Sequence, residues 1–209
     1  MSARPRQISD EEILQGAREC FLAHGPGVST QVIAERLGIS QPALFKRFNT
    51  KEELMISALL PPLDLPATSW LKSVRPSENF DEQLEELIQV LWESLKIVFP
   101  RISVLTMSGI PHEQIHSRFK KLPLLVILDA TADWILEAQQ KGLVRPEGDP
   151  YIWAQTCMGA LQGRAAMQYF LRRHFESHAD ARYQNFADEE TFVRLVADLL
   201  RNGMAVSRR

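Results

Sequence analysis

Two stretches of the sequence place side chains at spacings that could do chemistry. In His112-Glu113-Gln114-Ile115-His116, two imidazoles one helical turn apart could bind zinc while Glu113 activates a water, with Glu137 as a third ligand. On that reading the chain is a zinc-dependent hydrolase. Against it, Gly109 and Pro111 stand directly before the motif, where such an enzyme needs an apolar helix already under way. Ser117, Arg118, Lys120 and Lys121 make the sequel polar. The stretch therefore reads as the start of a surface helix, and no metal, cofactor or catalytic residue is expected.

The second stretch, GISQPALFKRF from Gly38 to Phe48, offers recognition instead of catalysis. Leu44 and Phe48 lie four apart and would anchor a short helix inward, leaving Ser40, Gln41, Pro42, Ala43 and Lys46 outside. A glutamine amide can engage adenine bidentately in the major groove, and Pro42 and Ala43 fit against a thymine methyl. Lys46 and Lys51 suit phosphates, which fix register without reading sequence. A helix this short does not form alone, so neighbouring elements must hold it.

Those elements read as helices throughout. Ser9 with Glu12 forms a capping box opening a first helix that Gly25 and Pro26 stop. Thr30 is read as the cap of a second helix ending at Leu37, Gly38 closes the turn, and Ser40 caps a third helix with Pro42 in its first turn. Thr50 with Glu53 opens a fourth, which Pro61 and Pro62 terminate. The helix starts at Thr30 and Thr50 also present backbone N–H groups to phosphate. Two short helices joined by a glycine turn make a helix-turn-helix, whose second helix enters the major groove.

Residues 61–79, rich in Pro, Ser and Thr, read as a connection. Beyond them the periodicity predicts longer helices: Phe80 to Phe99 ended by Pro100, a short piece over Arg101 to Ser108, Ile115 to Lys141, Pro150 to about His174, and one capped by Asp188 that ends at Gly203. No run alternates as a strand would. The expected class is all-α, with a helix-turn-helix domain over 1–60, the connection over 61–79 and a larger helical C-terminal domain over 80–209.

The run VIAERLGISQPALFKRFNTKEEL, Val32 to Leu54, resembles the DNA-binding signature of TetR-like, tetracycline-repressor-type transcriptional regulators. It carries the I-A pair, the small-residue turn, the serine, the small-side-chain pair, leucine, aromatic and phenylalanine, and the T-K-E restart. The resemblance covers about residues 9–60. It implies an all-helical homodimer with a three-helix DNA-binding head, and a larger C-terminal domain that binds a small effector and dimerises through its last two long helices. It implies no catalysis. The family's usual tyrosine, whose hydroxyl bonds a phosphate, is Phe45 here, so affinity leans on Lys46, Lys51 and a basic arm of Arg4 and Arg6.

In the C-terminal part, Trp92, Phe99, Met107, Phe119, Trp134, Trp153 and Met158 supply large adaptable side chains for an effector pocket, with Thr131 and Gln162 among its polar groups. Gly159, Gly163 and Ala166 permit close backbone approach on one long helix. With Phe192, Leu195 and Leu199 they suggest a self-complementary interface. A twofold dimer predicts a palindromic operator on double-stranded DNA.

Composition agrees. The 209 residues carry a net charge of −2, but residues 1–51 hold seven Lys or Arg against five Asp or Glu, an excess of +2 on an acidic remainder. Cys20 and Cys157 have neither disulfide-framework nor zinc spacing and read as buried thiols. The basic N-terminus has no apolar run behind it, and Leu122 to Leu136 is too short and too charged to span a bilayer, so a cytoplasmic protein without a membrane partner is expected. The expected function is a ligand-responsive, sequence-specific DNA-binding regulator, a repressor released from its operator by a small, largely apolar effector. The rivals are the hydrolase and a helical interaction protein without DNA affinity.

Overall fold

Helices α1 (Asp10–His24), α2 (Thr30–Leu37), α3 (Gln41–Phe45) and α4 (Lys51–Leu59) follow the punctuation of the sequence. The computed structural model describes residues 8–118, 121–177 and 188–205, apart from the side chains of 171–177, and all regular structure among them is helical. Arg4, Arg6 and Phe119 lie outside the described residues. Ser9 and Glu12 form the expected capping box. The cap of α2 is Ser29, whose hydroxyl accepts from the Val32 N–H at 3.3 Å, and Thr30 is the first helical residue. Both are good caps on chemistry alone; Thr30 is buried, which turns its side chain inward and leaves the cap to Ser29.

Two compact units divide the chain: Met1–Pro61 with Pro100–Lys120, and Pro62–Phe99 with Lys121–Arg209. This division differs from the sequence boundaries at 60 and 80. In the first unit, Ile13, Phe21, Ile33, Leu44 and Leu54 are fully buried, and Val104, Leu105, Ile110 and Ile115 join the same apolar core. A segment remote in sequence thus completes the head. The Arg18 guanidinium donates to the Ala58 carbonyl at 2.8 Å and ties α1 to α4. Gly16 lets α2 close on α1: a Cβ there would sit 2.5 Å from Leu37 Cδ2. The unit also holds α7 (His112–His116).

In the second unit, α5 (Pro66–Ser73) occupies part of the expected connection. Its proline sits in the first turn, where a missing N–H costs nothing, and Ala67, Thr68 and Leu71 bury its inner face. Helix α6 (Phe80–Met107) runs through Pro100, contributing 80–99 to this unit and 100–107 to the other. Pro100 removes one backbone bond, but Leu95 and Val98 before it and Val104 and Leu105 after it are buried, so packing outweighs the break. The helix expected from Ile115 instead begins as α8 (Pro123–Gln140), again with proline in its first turn. It packs along α9 (Pro150–Ser177), and α10 (Glu189–Met204) is capped by Asp188 as expected. Trp134 stacks on Phe80 at 5.2 Å and lies 5.6 Å from Trp70, holding α5, α6 and α8 together. Both cysteines are buried, and burial pushes the Cys157 thiol up to about 12, so it is an inert core group at neutral pH.

Candidate nucleic-acid interface

The turn between α2 and α3 depends on one backbone conformation. Gly38 takes φ +67°, ψ 29°, and its N–H bonds the Ala34 and Glu35 carbonyls while the Ile39 N–H returns to Ala34 at 3.1 Å. A side chain at Gly38 would strain that turn. The chain then extends through Ser40, whose hydroxyl accepts from the Ala43 N–H at 3.3 Å and starts α3. Leu44 is fully buried and Phe48 is 8% exposed, so α3 is anchored along one edge. Ser40, Gln41, Pro42, Ala43 and Lys46 are all exposed on the other side, and Phe45 is half-buried. Thr50 caps α4 by accepting from the Glu53 N–H at 3.0 Å, and Lys51 is its first residue. Lys46 and Lys51 form no ion pair among the described residues.

Contacts that the sequence did not reveal surround this face. Arg47 pairs with Asp10 at 2.7 Å and Arg36 with Glu19 at 2.6 Å. A bond from Gln15, and then the Arg36 guanidinium, hold the Glu19 carboxyl below its usual value. Gln41 Nε2 donates to Thr30 Oγ1 at 2.7 Å, so the Thr30 side chain is engaged within the head. Apart from Gln15 with Glu19, four apart on α1, these pairs join different segments, and only the folded head brings them together.

The expected effector residues divide. Met158 and Gln162 line a cavity of about 230 Å³ with Leu124, Leu125, Leu128, Gln155 and Gly159. Trp92 and Trp134 are fully packed core, and Thr131 is buried with its hydroxyl unbonded. Trp153 fills space left by Gly148 and Gly203, with Arg145 5.3 Å from its ring. Phe99 meets Tyr169 and Phe170 edge-on. Met107, expected in the pocket, is instead 60% exposed and belongs to the head unit, because α6 continues past Pro100.

Of the expected interface residues, Gly159 and Gly163 are exposed with open space above them, and Leu195 and Leu199 are 53% and 64% exposed. Ala166 is half-buried. Phe192 turns inward, with the Arg164 guanidinium over its ring at 4.4 Å and Trp92 meeting it edge-on at 6.1 Å. The sequence reading missed Ile152, Met167 and Phe170, which extend the exposed apolar stripe of α9 at helical spacing.

His112, Glu113 and His116 are exposed on the five-residue α7, with imidazole centroids 6.0 Å apart. The third ligand considered, Glu137, pairs with Lys141 and Arg75. Among the described residues no group of His, Cys, Asp and Glu could hold a metal ion, and no helix is long and apolar enough to cross a membrane.

Residues 13–58 match the sequence profile described as bacterial regulatory proteins, tetR family. A curated relative, the HTH-type transcriptional repressor AcnR of Corynebacterium efficiens, is 42% identical over 50 residues, 23% of this chain. That stretch spans 27% of the repressor's own length. Solved structures match nearly the whole chain. One from Mesorhizobium loti, assigned to the TetR family, is 20% identical with a TM-score of 0.62, covering 94% of this chain and 96% of its own. NalD, the secondary repressor of the MexAB-OprM multidrug efflux pump in Pseudomonas aeruginosa, is 17% identical with a TM-score of 0.62, covering 95% and 96%. The head is thus similar in sequence to tetR-family regulators, and the chain has the fold of that family.

Proposed function

We propose, from a head that matches the tetR-family profile, that the chain is a ligand-responsive, sequence-specific DNA-binding repressor. The observation that carries this reading is the outward face of α3: Gln41, Pro42, Ala43 and Lys46 exposed together on a helix fixed by Leu44 and Phe48. Such a helix can enter a major groove without distortion of the head. Gln41 reads a base, Pro42 and Ala43 meet a thymine methyl, and Lys46, Lys51, the helix start at Thr50 and the arm of Arg4 and Arg6 hold phosphates.

The protein acts as a homodimer joined through α9 and α10, with Gly159, Gly163, Leu195 and Leu199 in the interface. Two heads then address an inverted repeat. A small, largely apolar effector bound beside Met158 and Gln162 releases the DNA by favouring a state of the dimer that fits the two half-sites poorly. The relatives of the head that are named repressors support the sign of the control.

Selection from a random-sequence duplex library tests the reading directly. An inverted repeat should emerge, with half-sites about one helical turn apart. A purified dimer with no preference for any inverted repeat over scrambled sequence would remove the proposal. A panel of apolar and aromatic compounds added to the selected complex should contain members that weaken it.

A further inference from the structure

We propose that Thr30 is a positioning residue for base reading, its buried hydroxyl holding the Gln41 amide in the orientation that meets a base; the inference rests on the DNA-binding reading above. Gln41 is exposed at the first position of α3, yet its Nε2 donates to Thr30 Oγ1 at 2.7 Å. Thr30 is 7% exposed at the first position of α2, so its hydroxyl is fixed by the packing of the head. Among the described residues no other α2 side chain bonds α3; Gln31, the next residue along, bonds Glu35 within its own helix at 2.9 Å.

A primary amide has two N–H donors and one oxygen. One N–H on Thr30 leaves the other N–H and Oε1, the pair that matches N7 and the N6 amino group of adenine. An untethered glutamine must give up the freedom of three side-chain torsions when it binds, whereas one already held by a rigid element gives up less. Thr30 therefore acts on discrimination through Gln41, without itself touching a base. This role differs from phosphate binding by the N-terminus of α2, which would raise affinity for all DNA alike.

The test uses the full chain. The wild type first selects its inverted repeat, and Gln41→Ala then identifies the base pair at which discrimination is lost. At that pair, Thr30→Val should lose about threefold to tenfold in discrimination while affinity for random duplex and the salt slope stay unchanged. Thr30→Ser, which keeps the hydroxyl, should discriminate as the wild type does. In the Gln41→Ala background, Thr30→Val should cost nothing further. Binding is measured at a temperature at which circular dichroism shows every variant folded. Equal loss on selected and random duplexes, a Thr30→Ser variant as impaired as Thr30→Val, or a double variant worse than Gln41→Ala would each overturn the inference. A wild type that selects no repeat overturns the DNA-binding reading and this inference with it. A wild type that selects one, with Thr30→Val discriminating unchanged, overturns the inference alone.

Discussion

The outward faces of α3 and of the α9 and α10 pair meet solvent with opposite chemistry. On and around α3 the exposed polar groups include three that are individually supported: Ser40 caps the helix, Gln41 is bonded to Thr30, and Arg47 is paired with Asp10. On α9 and α10 the exposed groups include the apolar Ile152, Met167, Phe170, Leu195 and Leu199, with bare Gly159 and Gly163 between Ile152 and Met167. Hydrogen-bonded support preorganises a surface for a partner of fixed shape and charge, such as duplex DNA. An apolar stripe gains nothing from water and much from being covered, and small residues beside large ones would suit the second copy proposed above. What holds the side chains of a face therefore points to the chemistry of its partner.

Removing the anchor under the polar face should do the most damage. Leu44→Ala deletes a fully buried side chain from the head core and should cost the head about 2–5 kcal/mol. Urea denaturation followed by circular dichroism should show an early transition for the head. All DNA binding should fall, while sedimentation still reports a dimer. Retained sequence-specific binding would mean that α3 does not depend on this anchor.

Leu199→Glu attacks the other face. It puts a charge where partner apolar groups should pack, and a buried unpaired carboxylate costs several kcal/mol. Sedimentation should show monomer at micromolar concentration. Affinity for the inverted repeat should drop by roughly 100-fold, since the second head no longer shares an effective concentration with the first. Binding to a single half-site should be unchanged. A Leu199→Glu dimer would place the interface elsewhere.

Sequence reasoning found the supports of α3 where they obey local rules and missed them where they do not. Ser40, Thr50 and Gly38 act over three or four residues, and composition plus spacing is enough to place them. Arg47 with Asp10, Arg36 with Glu19, and Gln41 with Thr30 join different helices, so nothing in a local window announces them. Proline misled in both directions. At Pro66 it starts a helix in a stretch that reads as a connection, and at Pro100 buried residues on both sides carry the helix through it. The same misreading displaced Met107 from the head into the expected pocket. Aromatic content pointed to a cavity, yet Trp92 and Trp134 were needed for the core, and only the fold distinguishes the two uses.

A gentler test sharpens the polar face alone. Lys51 forms no ion pair among the described residues, so its charge is available to a phosphate. Lys51→Ala should weaken selected and random duplexes by the same factor and lower the slope of log affinity against log salt by about one unit. An effect confined to the selected duplex would assign Lys51 to base reading.

The Arg36–Glu19 pair braces α1 against α2, and its loss should be felt least. Bonds from Gln15 and then Arg36 lower the Glu19 pKa in the folded head. A carboxyl depressed on folding adds stability at pH values above its unfolded value, near 4.5, and that stability disappears as pH falls through the folded value. Wild-type head stability should therefore decline more steeply below about pH 4.5 than that of Glu19→Gln, with the two curves converging in acid. At pH 7 Glu19→Gln should be slightly the less stable, and the gap should shrink in high salt because the pair is exposed. Dimerisation over the same range should be identical in both proteins, since the substitution leaves the apolar stripe of α9 and α10 untouched. Parallel denaturation midpoints from pH 7 to pH 3 would show that the pair is an ornament of the surface. The support of the polar face would then rest on the caps, the Arg47–Asp10 pair and the Thr30 hydroxyl.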